Sequence, residues 1–490
     1  MLGKTFYYSW FALILSSALN LRPAASDATP AAKGPVCHEC FKIRVGLPLV
    51  ARGPGPDIED FTEIQLPDGR FRGFIAGAKT YAIDGDHPWD MGGPRRLVLD
   101  KGAPGTYDSC GQWIHHVEQS SNTVLAWVHN ETACNYANHF QTHMSTSLAI
   151  STDYGLTWKD YGRILTGMDT DVPRAGKISG EGNCSAVNGQ DGYYYAYCMR
   201  YRDGTTIVSR APVSDPHPGE WMKFFQGKWD QPGLGGNATG LAKGVGGTVA
   251  RWTTTGETLA IGWTHGGTGL RFSADGVTFT TLREPLMVLD PGSWHRPDPS
   301  ELIAYQFLYD AKTSSNQLSN SWILAYMYIQ PNEGFRERYL VFRKVDVAIS
   351  KAPVTPQVGI ALGRWYDAAL HDRWSTTAPV PGNYSSYKLE KESGYLMTVA
   401  DVAKPSVELE DCVSHWPGHP DHILDHKGVC EAAHYQRLRT AGWVYSKPQE
   451  QTIPLYRCVN EKEHSHFASN ESDCEKLGRM ERLLGYALSQ

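Results

Sequence analysis

The stretch STDYGLTW, residues 151–158, constrains this chain more than any other. Asp153 can fold its carboxylate back onto the N–H groups of a tight turn, and Gly155 can take the positive φ that such a turn requires. Thr157 and Trp158 then open the next strand, the indole being large enough to plug the gap beside a neighbouring sheet. The stretch therefore reads as a hairpin staple. A shorter copy, SADGVTF at 273–279, ends in Phe instead of Trp. Two copies of one device point to radial repetition of a β unit, the sequence signature of a propeller. In that setting Asp153 and Asp275 are architectural and carry no catalysis.

The rest of the chain up to residue 350 has the same texture. Short apolar or aromatic runs alternate with Gly, Asp, Asn and Pro, the pattern of strands and turns. FTEIQL and FRGFIAG flank an Asp68-Gly69 turn, and WIHHVEQ and TVLAWVHNE flank SSN, each pair predicting a hairpin. Hairpin-bearing groups recur at roughly sixty residues, the length of a four-stranded blade. Five blades over 36–350 is the first expectation and six the second. A length of 490 residues exceeds one ordinary core, so a second domain is expected.

Beyond the Pro-broken segment 349–356 the texture changes. LGRWYDAALHDRW at 362–374 aligns without a gap on LYRCVNEKEHSHF at 455–467, and LEDCVSHWPGHPDHI at 409–423 fits with a small insertion. Each copy is followed by a Gly-aromatic pair: Gly394-Tyr395, Gly442-Trp443 and Gly485-Tyr486. Residues 430–442 and 473–485 carry helical apolar spacing and end on Gly, a helix C-cap signal. The expected fold is thus mainly β, with a C-terminal α+β module of three repeats over 357–490. The recurring His and aromatic positions are expected to pack within each repeat, with carbohydrate binding as a secondary role for the module.

Residues 1–25 hold one Lys, an apolar run and small residues, which reads as a secretory signal peptide cleaved after Ala18 or near Ala25. Ten cysteines in an exported chain favour disulfides. Their order suggests Cys37–Cys40, Cys110–Cys134, Cys184–Cys198, Cys412–Cys430 and Cys458–Cys474. The Cys37/Cys40 pair has no second Cys/His pair near it to complete a zinc site. Sequons stand at Asn130, Asn183, Asn237, Asn383 and Asn470. A net charge of -6 offers nothing to nucleic acid. No second apolar run follows the leader, so no membrane insertion is expected, and the chain is read as a secreted monomer.

Glycoside hydrolysis needs two carboxyl groups facing one bond. In a propeller, acids placed just before successive inner strands converge on one pocket. Asp57 and Asp60 precede the first blade, Asp108 the second and Glu181 the third, the last flanked by glycines that admit a ligand. Trp113, His115 and His116 follow Asp108, and one of the two histidines must face inward. His129 and Glu131 end a second strand and form an alternative donor pair. Trp294, His295 and Arg296, before the fifth blade, could stack on a sugar ring and bind its hydroxyls or a carboxylate.

The pattern Ser-x-Asp-x-Gly-x-Thr-Trp is known as an Asp-box, most frequent in the outer hairpins of sialidases and other propeller glycosidases. With the acids placed as above, the chain is similar to the five-bladed propeller glycosidases that act on arabinans, xylosides, fructans and related sugars. That resemblance implies a glycan or polysaccharide substrate, Asp57 or Asp60 as base, Asp108 as the residue that tunes and orients, and Glu181 as acid. It implies no organic cofactor, and a structural calcium is compatible with it. The alternatives are a lectin-like propeller without catalysis and, after it, a sialidase. The sialidase Phe/Tyr-Arg-Ile-Pro signature is absent, FKIRVGLP at 41–48 being its faint counterpart. The C-terminal repeats resemble a short aromatic/His repeat found in threes at the ends of secreted proteins.

Overall fold

The computed structural model describes residues 36–489 except 78, 137–140, 170–176, 242–247, 265, 289–293, 382–385, 417–418 and 433–434. The expected signal peptide at 1–25 and the sequon at Asn383 lie outside the described residues. The described chain is almost entirely β.

Its strands form successive antiparallel groups. The first is Phe61–Gln65, Phe71–Ile75, Thr80–Gly85 and Arg96–Leu99. The second is Gly111–Ser120, Thr123–Asn135, Gln141–Ser151 and Lys159–Thr166. The third starts with Ile178–Asn188, Tyr193–Arg200 and Thr205–Pro212. Val249–Trp252, Glu257–Thr264 and Gly267–Ser273 build the fourth. Leu302–Asp310, Ser321–Ile329 and Arg338–Ile349 build the fifth.

Because these strands are apolar on both faces, each group must bury itself between two others. Ile64 and Phe74 meet Ile114 and Val117. Trp127 and Leu148 meet Ala196 and Trp221, and Val187 and Tyr197 meet Val249 and Ala260. Trp252 and Phe272 meet Trp322 and Tyr326. Phe61 and Ile75 of the first group meet Phe307 and Phe342 of the fifth. The last seam closes the groups into a ring. Two staples reinforce it: Asp153 accepts hydrogen bonds from the N–H groups of Leu156 and Thr157 at 3.0 and 2.9 Å. This holds Trp158 edge-on to Phe74, 5.7 Å between ring centres. Asp275 does the same for the turn that sets Phe279 against Tyr197, 6.0 Å away.

The fifth group takes its next strand from the other end of the chain. Phe41–Val45 pairs antiparallel with Arg338–Ile349 (Phe41↔Ile349, Val45↔Val345) and parallel with Val358–Asp367 (Ile43↔Val358). That strand joins the ring to the C-terminal module edge to edge.

The module has three copies of a three-stranded unit, and it departs from the α+β expectation. Residues 430–442 and 473–485 supply only the short helix Val429–Ala432 and the turn Cys474–Lys476 before entering the strands Gln436–Tyr445 and Arg479–Leu488. Those strands pair along the first strand of their own copy, Leu409↔Gly442 and Leu455↔Gly485. Gly442 and Gly485, read as helix caps, instead mark where third strands cross. Both have φ +145°, and a Cβ there would stand 2.8 Å from Leu396 Cβ and 2.5 Å from Val444 Cγ2. The three third strands touch one another through Met397↔Trp443, Tyr445↔Tyr486 and Tyr395↔Leu488.

The histidine expectation is also corrected. His371 and His464 sit in exposed turns at positive φ, His371 Nδ1 standing 3.8 Å from Glu463. The interlocking is instead between copies: His422 Nδ1 meets Asp372 at 2.6 Å, His466 Nδ1 meets Asp421 at 2.9 Å, and the Arg373 N–H donates to Ser465 Oγ at 2.8 Å. Disulfides join Cys37 to Cys40, Cys110 to Cys134, Cys184 to Cys198, Cys412 to Cys430 and Cys458 to Cys474. No helix of the described residues is long and apolar enough to cross a membrane.

Candidate active site

The first strands of successive groups neighbour one another around the ring. Three of them carry an irregularity in register at one level: Ile114 to His116, Gly182 to Ser185 and Ala304 to Phe307. A bulge turns a side chain out of the strand's normal alternation. Here the bulged residues include His115, Asn183 and Tyr305. Asn183 and Tyr305 hold φ of 50° and 52°, a region that costs a bulky side chain about 1–3 kcal/mol and is concentrated at functional sites.

The residues so placed surround a buried carboxyl cluster. Asp60, one residue before the first group, lies 3.4 Å from His115 Nε2. Beside it, Glu59 pairs with Arg338 at 2.7 Å. Glu131, on the second strand of the second group, meets His129 Nε2 at 3.2 Å and accepts hydrogen bonds from Thr142 at 3.1 Å and from Tyr136. The Asn183 N–H donates to His129 Nδ1 at 3.0 Å. Nδ1 is therefore the acceptor, which leaves Nε2–H to donate to Glu131. This contact needs Gly182, since a Cβ there would stand 2.5 Å from His129 Nδ1. The Asn183 side-chain amide donates to the Tyr201 hydroxyl at 2.6 Å. Trp113 covers His129, 5.6 Å between ring centres, and its indole N–H donates to the Gly77 carbonyl.

Electrostatics separates these carboxyls. Burial pushes Asp60 up to about 7, with the neighbouring His129 acting the other way. Glu59 also rises to about 7, again through burial, with Arg338 opposing and Asp60 and Glu131 adding to the rise. Burial acts on Glu131 as well, but hydrogen bonds from His129, Tyr136 and Thr142 hold it below the ordinary value. Burial and the neighbouring charges of His129 and His116 lower His115 to about 3. The Tyr201 and Tyr305 hydroxyls are raised by burial and then by the acids they face, Glu131 and Asp60 for one, Glu59 and Asp60 for the other. The two environments thus move Asp60 and Glu131 in opposite directions.

Of the acids expected from sequence, only Asp60 and Glu131 share this network. Asp57 pairs with Arg95, whose guanidinium lies over Tyr81. Asp108 caps its own turn, accepting from Thr106 and from Gln112 at 2.6 Å. Glu181 adjoins Gly182, which faces His129, so strand alternation sends its side chain the other way. There it meets Lys223 at 2.7 Å, and Lys223 also donates to the carbonyls of Thr166 and Gly236 at 2.7 and 3.1 Å. Arg296 is likewise no free ligand group: it donates to the carbonyls of Glu333, Ser300 and Gln330 at 3.0, 2.5 and 2.5 Å. Trp294 and His295 are exposed. Sequence reading missed Glu59, Tyr201, Tyr305 and Arg338. Glu59 alone carried a signal, as the neighbour of Asp60.

The sequons are corrected in part. Asn130 is fully buried and its amide donates to the Val128 carbonyl and to Ser147 Oγ, both at 3.0 Å, leaving no room for a glycan. Asn183 serves Tyr201, and the Asn470 amide donates to the carbonyls of Ser393 and Pro454. Asn237 is half-buried. Among the described residues no three His, Cys, Asp or Glu gather as a metal site.

No family model matches the chain. No curated protein matches it. Solved structures that resemble it include the catalytic domain of a Coprinopsis cinerea GH62 alpha-L-arabinofuranosidase, at 13% identity and a TM-score of 0.41, covering 63% of this chain and 98% of that one. An alpha-L-arabinofuranosidase from Podospora anserina gives 11% identity and 0.39 over 63% and 98%. A family 117 glycoside hydrolase from Zobellia galactanivorans gives 9% and 0.40 over 64% and 92%.

Proposed function

We propose that this protein is an exported glycoside hydrolase, its ring a five-bladed propeller, with Asp60 and Glu131 as the working carboxyls. The observation that carries the reading is the buried pair whose environments move its members in opposite directions, Asp60 up and Glu131 down, the kind of arrangement that assigns acid and base. Asp60, protonated up to about 7, gives its proton to the glycosidic oxygen as the bond to the anomeric carbon breaks. Glu131, held ionised by its three donors, supplies negative charge at that carbon, as base toward water or as nucleophile. Glu59 and Arg338, paired at 2.7 Å, form one wall of the site. The Tyr201 and Tyr305 hydroxyls are placed to bind sugar hydroxyls.

Among the described residues of this cluster the one arginine, Arg338, is already paired with Glu59. A sialidase would need a cluster of arginines free to clamp the substrate's carboxylate, so an uncharged glycan fits better. The test is turnover on neutral polysaccharides and aryl glycosides by wild type, Asp60→Asn and Glu131→Gln. Each variant is expected to lose about 10²–10⁴-fold in kcat while keeping its circular dichroism. Undiminished turnover in either would remove that residue from the mechanism. A wild type that binds glycans without hydrolysing any would favour the lectin reading.

A further inference from the structure

The five disulfides differ in how a thiol could reach them. Cys37 is exposed, Cys110 and Cys134 are half-buried, and both partners of Cys184–Cys198, Cys412–Cys430 and Cys458–Cys474 are fully buried. Within its own pair Cys37 faces solvent while Cys40 is buried. The Cys37–Cys40 bond also closes the shortest loop, a separation of 3 against 14 to 24 for the others. Because a cross-link stabilises a fold chiefly through the loop it closes, this one contributes least. Hydrogen bonds hold the turn instead. The Ser350 N–H donates to the Cys40 carbonyl at 2.8 Å and the Val354 N–H to the Glu39 carbonyl at 2.9 Å. The Gln357 amide donates to the His38 carbonyl at 2.7 Å. His38 Nε2 meets Glu257 at 2.9 Å, and its ring stacks on Phe272, 4.6 Å between centres. None of these contacts needs the S–S bond, so opening it leaves the turn seated.

Both cysteines line a surface depression of about 310 Å³, together with Val36, Phe41, Ile349 and Lys351. That volume is at the lower end of those that hold small ligands. Its apolar walls suit a peptide, and the Lys351 cation favours an arriving thiolate over a thiol. We propose that Cys37–Cys40 is a thiol–disulfide exchange site for peptide thiols, separate from the carboxyl cluster and from the hydrolase reading. A peptide thiolate attacks Cys37 Sγ, the new S–S bond forms as the old one breaks, and Cys40 leaves as a thiolate that takes a proton from water. A second thiolate then attacks the peptide sulfur of this mixed disulfide. The two peptides are joined and Cys37 leaves as a thiolate. Two electrons have passed from two thiols to the protein, and a small disulfide such as oxidised glutathione restores the pair by the reverse steps.

The experiment exposes the full chain to reduced and oxidised glutathione at graded ratios, followed by acid quenching, alkylation and peptide mass spectrometry. Cys37–Cys40 is expected to open at about tenfold less reduced glutathione than any other pair, and to re-form in excess oxidised glutathione. Acid trapping should find glutathione on Cys37 and not on Cys40. Opening together with or after the other pairs, trapping on Cys40, or failure to re-form would overturn the proposal. At equal thiolate concentration glutathione should open the pair about tenfold faster than 2-mercaptoethanol, and Lys351→Glu should remove that advantage. Equal rates in the wild type would overturn the preference for peptide thiols. Cys37→Ser and Cys40→Ser together should lower Tm by no more than about 2 °C. A larger drop would mark the bond as a structural staple and overturn the exchange role.

Discussion

A carboxyl kept out of water works only as well as its proton inventory matches the reaction. With Asp60 raised to about 7 and Glu131 lowered, kcat should fall as pH rises through about 7, where the acid loses its proton. A pH–rate profile flat through that region would contradict the assignment. The same shift costs stability. A carboxyl whose folded pKa is raised favours the folded state fully below its unfolded value of 3.8, and that advantage is lost as pH rises through about 7. Asp60→Asn should therefore stabilise the protein by about 1–3 kcal/mol at pH 8 and by almost nothing at pH 4, read from denaturant midpoints. Glu181→Gln should do the reverse of a catalytic substitution. It leaves Lys223 buried without its counter-charge, so Tm drops while kcat at permissive temperature is preserved. The sequence offered Asp60 together with Asp57 and Asp108 as acids before inner strands, but it did not show that Asp57 would meet Arg95 and Asp108 cap its own turn. The orientation of Glu181 was not legible, because it depends on a bulge between Gly182 and Ser185 that composition does not announce.

At the scale of elements, the strands of the ring followed from alternating and continuous apolar runs, and the staples from Asp153 and Asp275. The third strands of the C-terminal copies were misread as helices because 430–442 and 473–485 space their apolar residues almost as a helix would. Pairing with the first strand of each copy outweighed local propensity. The glycines in those strands give a direct check. Gly485→Val meets both a φ of +145° and an atom 2.5 Å away, and should cost about 2–4 kcal/mol in chemical denaturation. Gly428→Ala, at φ +81° with nothing within 4 Å, should cost about 1 kcal/mol. Equal costs would mean that the strand crossing bears no strain. The bulges at His115, Asn183 and Tyr305 belong to this scale too: the sequence shows the residues, and only pairing shows that they turn toward one another.

As a whole molecule, ring and module share one apolar core, in which Trp322 and Tyr326 lie with Leu362, Leu396 and Leu409. A buried pair, Arg439 and Glu301, crosses between them at 3.6 Å. Calorimetry should accordingly show a single cooperative transition for the full chain, and a module that melts separately would refute a common core. The sequence changes texture near 350, but the continuity across it was not legible, since it is made by contacts remote in sequence, Glu301 with Arg439 and Ile43 with Val358 among them. That continuity bears on biogenesis. The strand Phe41–Val45 emerges from the ribosome first, yet both of its edge partners, Arg338–Ile349 and Val358–Asp367, are synthesised after most of the chain. That strand must therefore wait, unpaired, until translation has passed Val358–Asp367. A chain built this way closes only when those partners arrive, with the strand Phe41–Val45 serving as the latch.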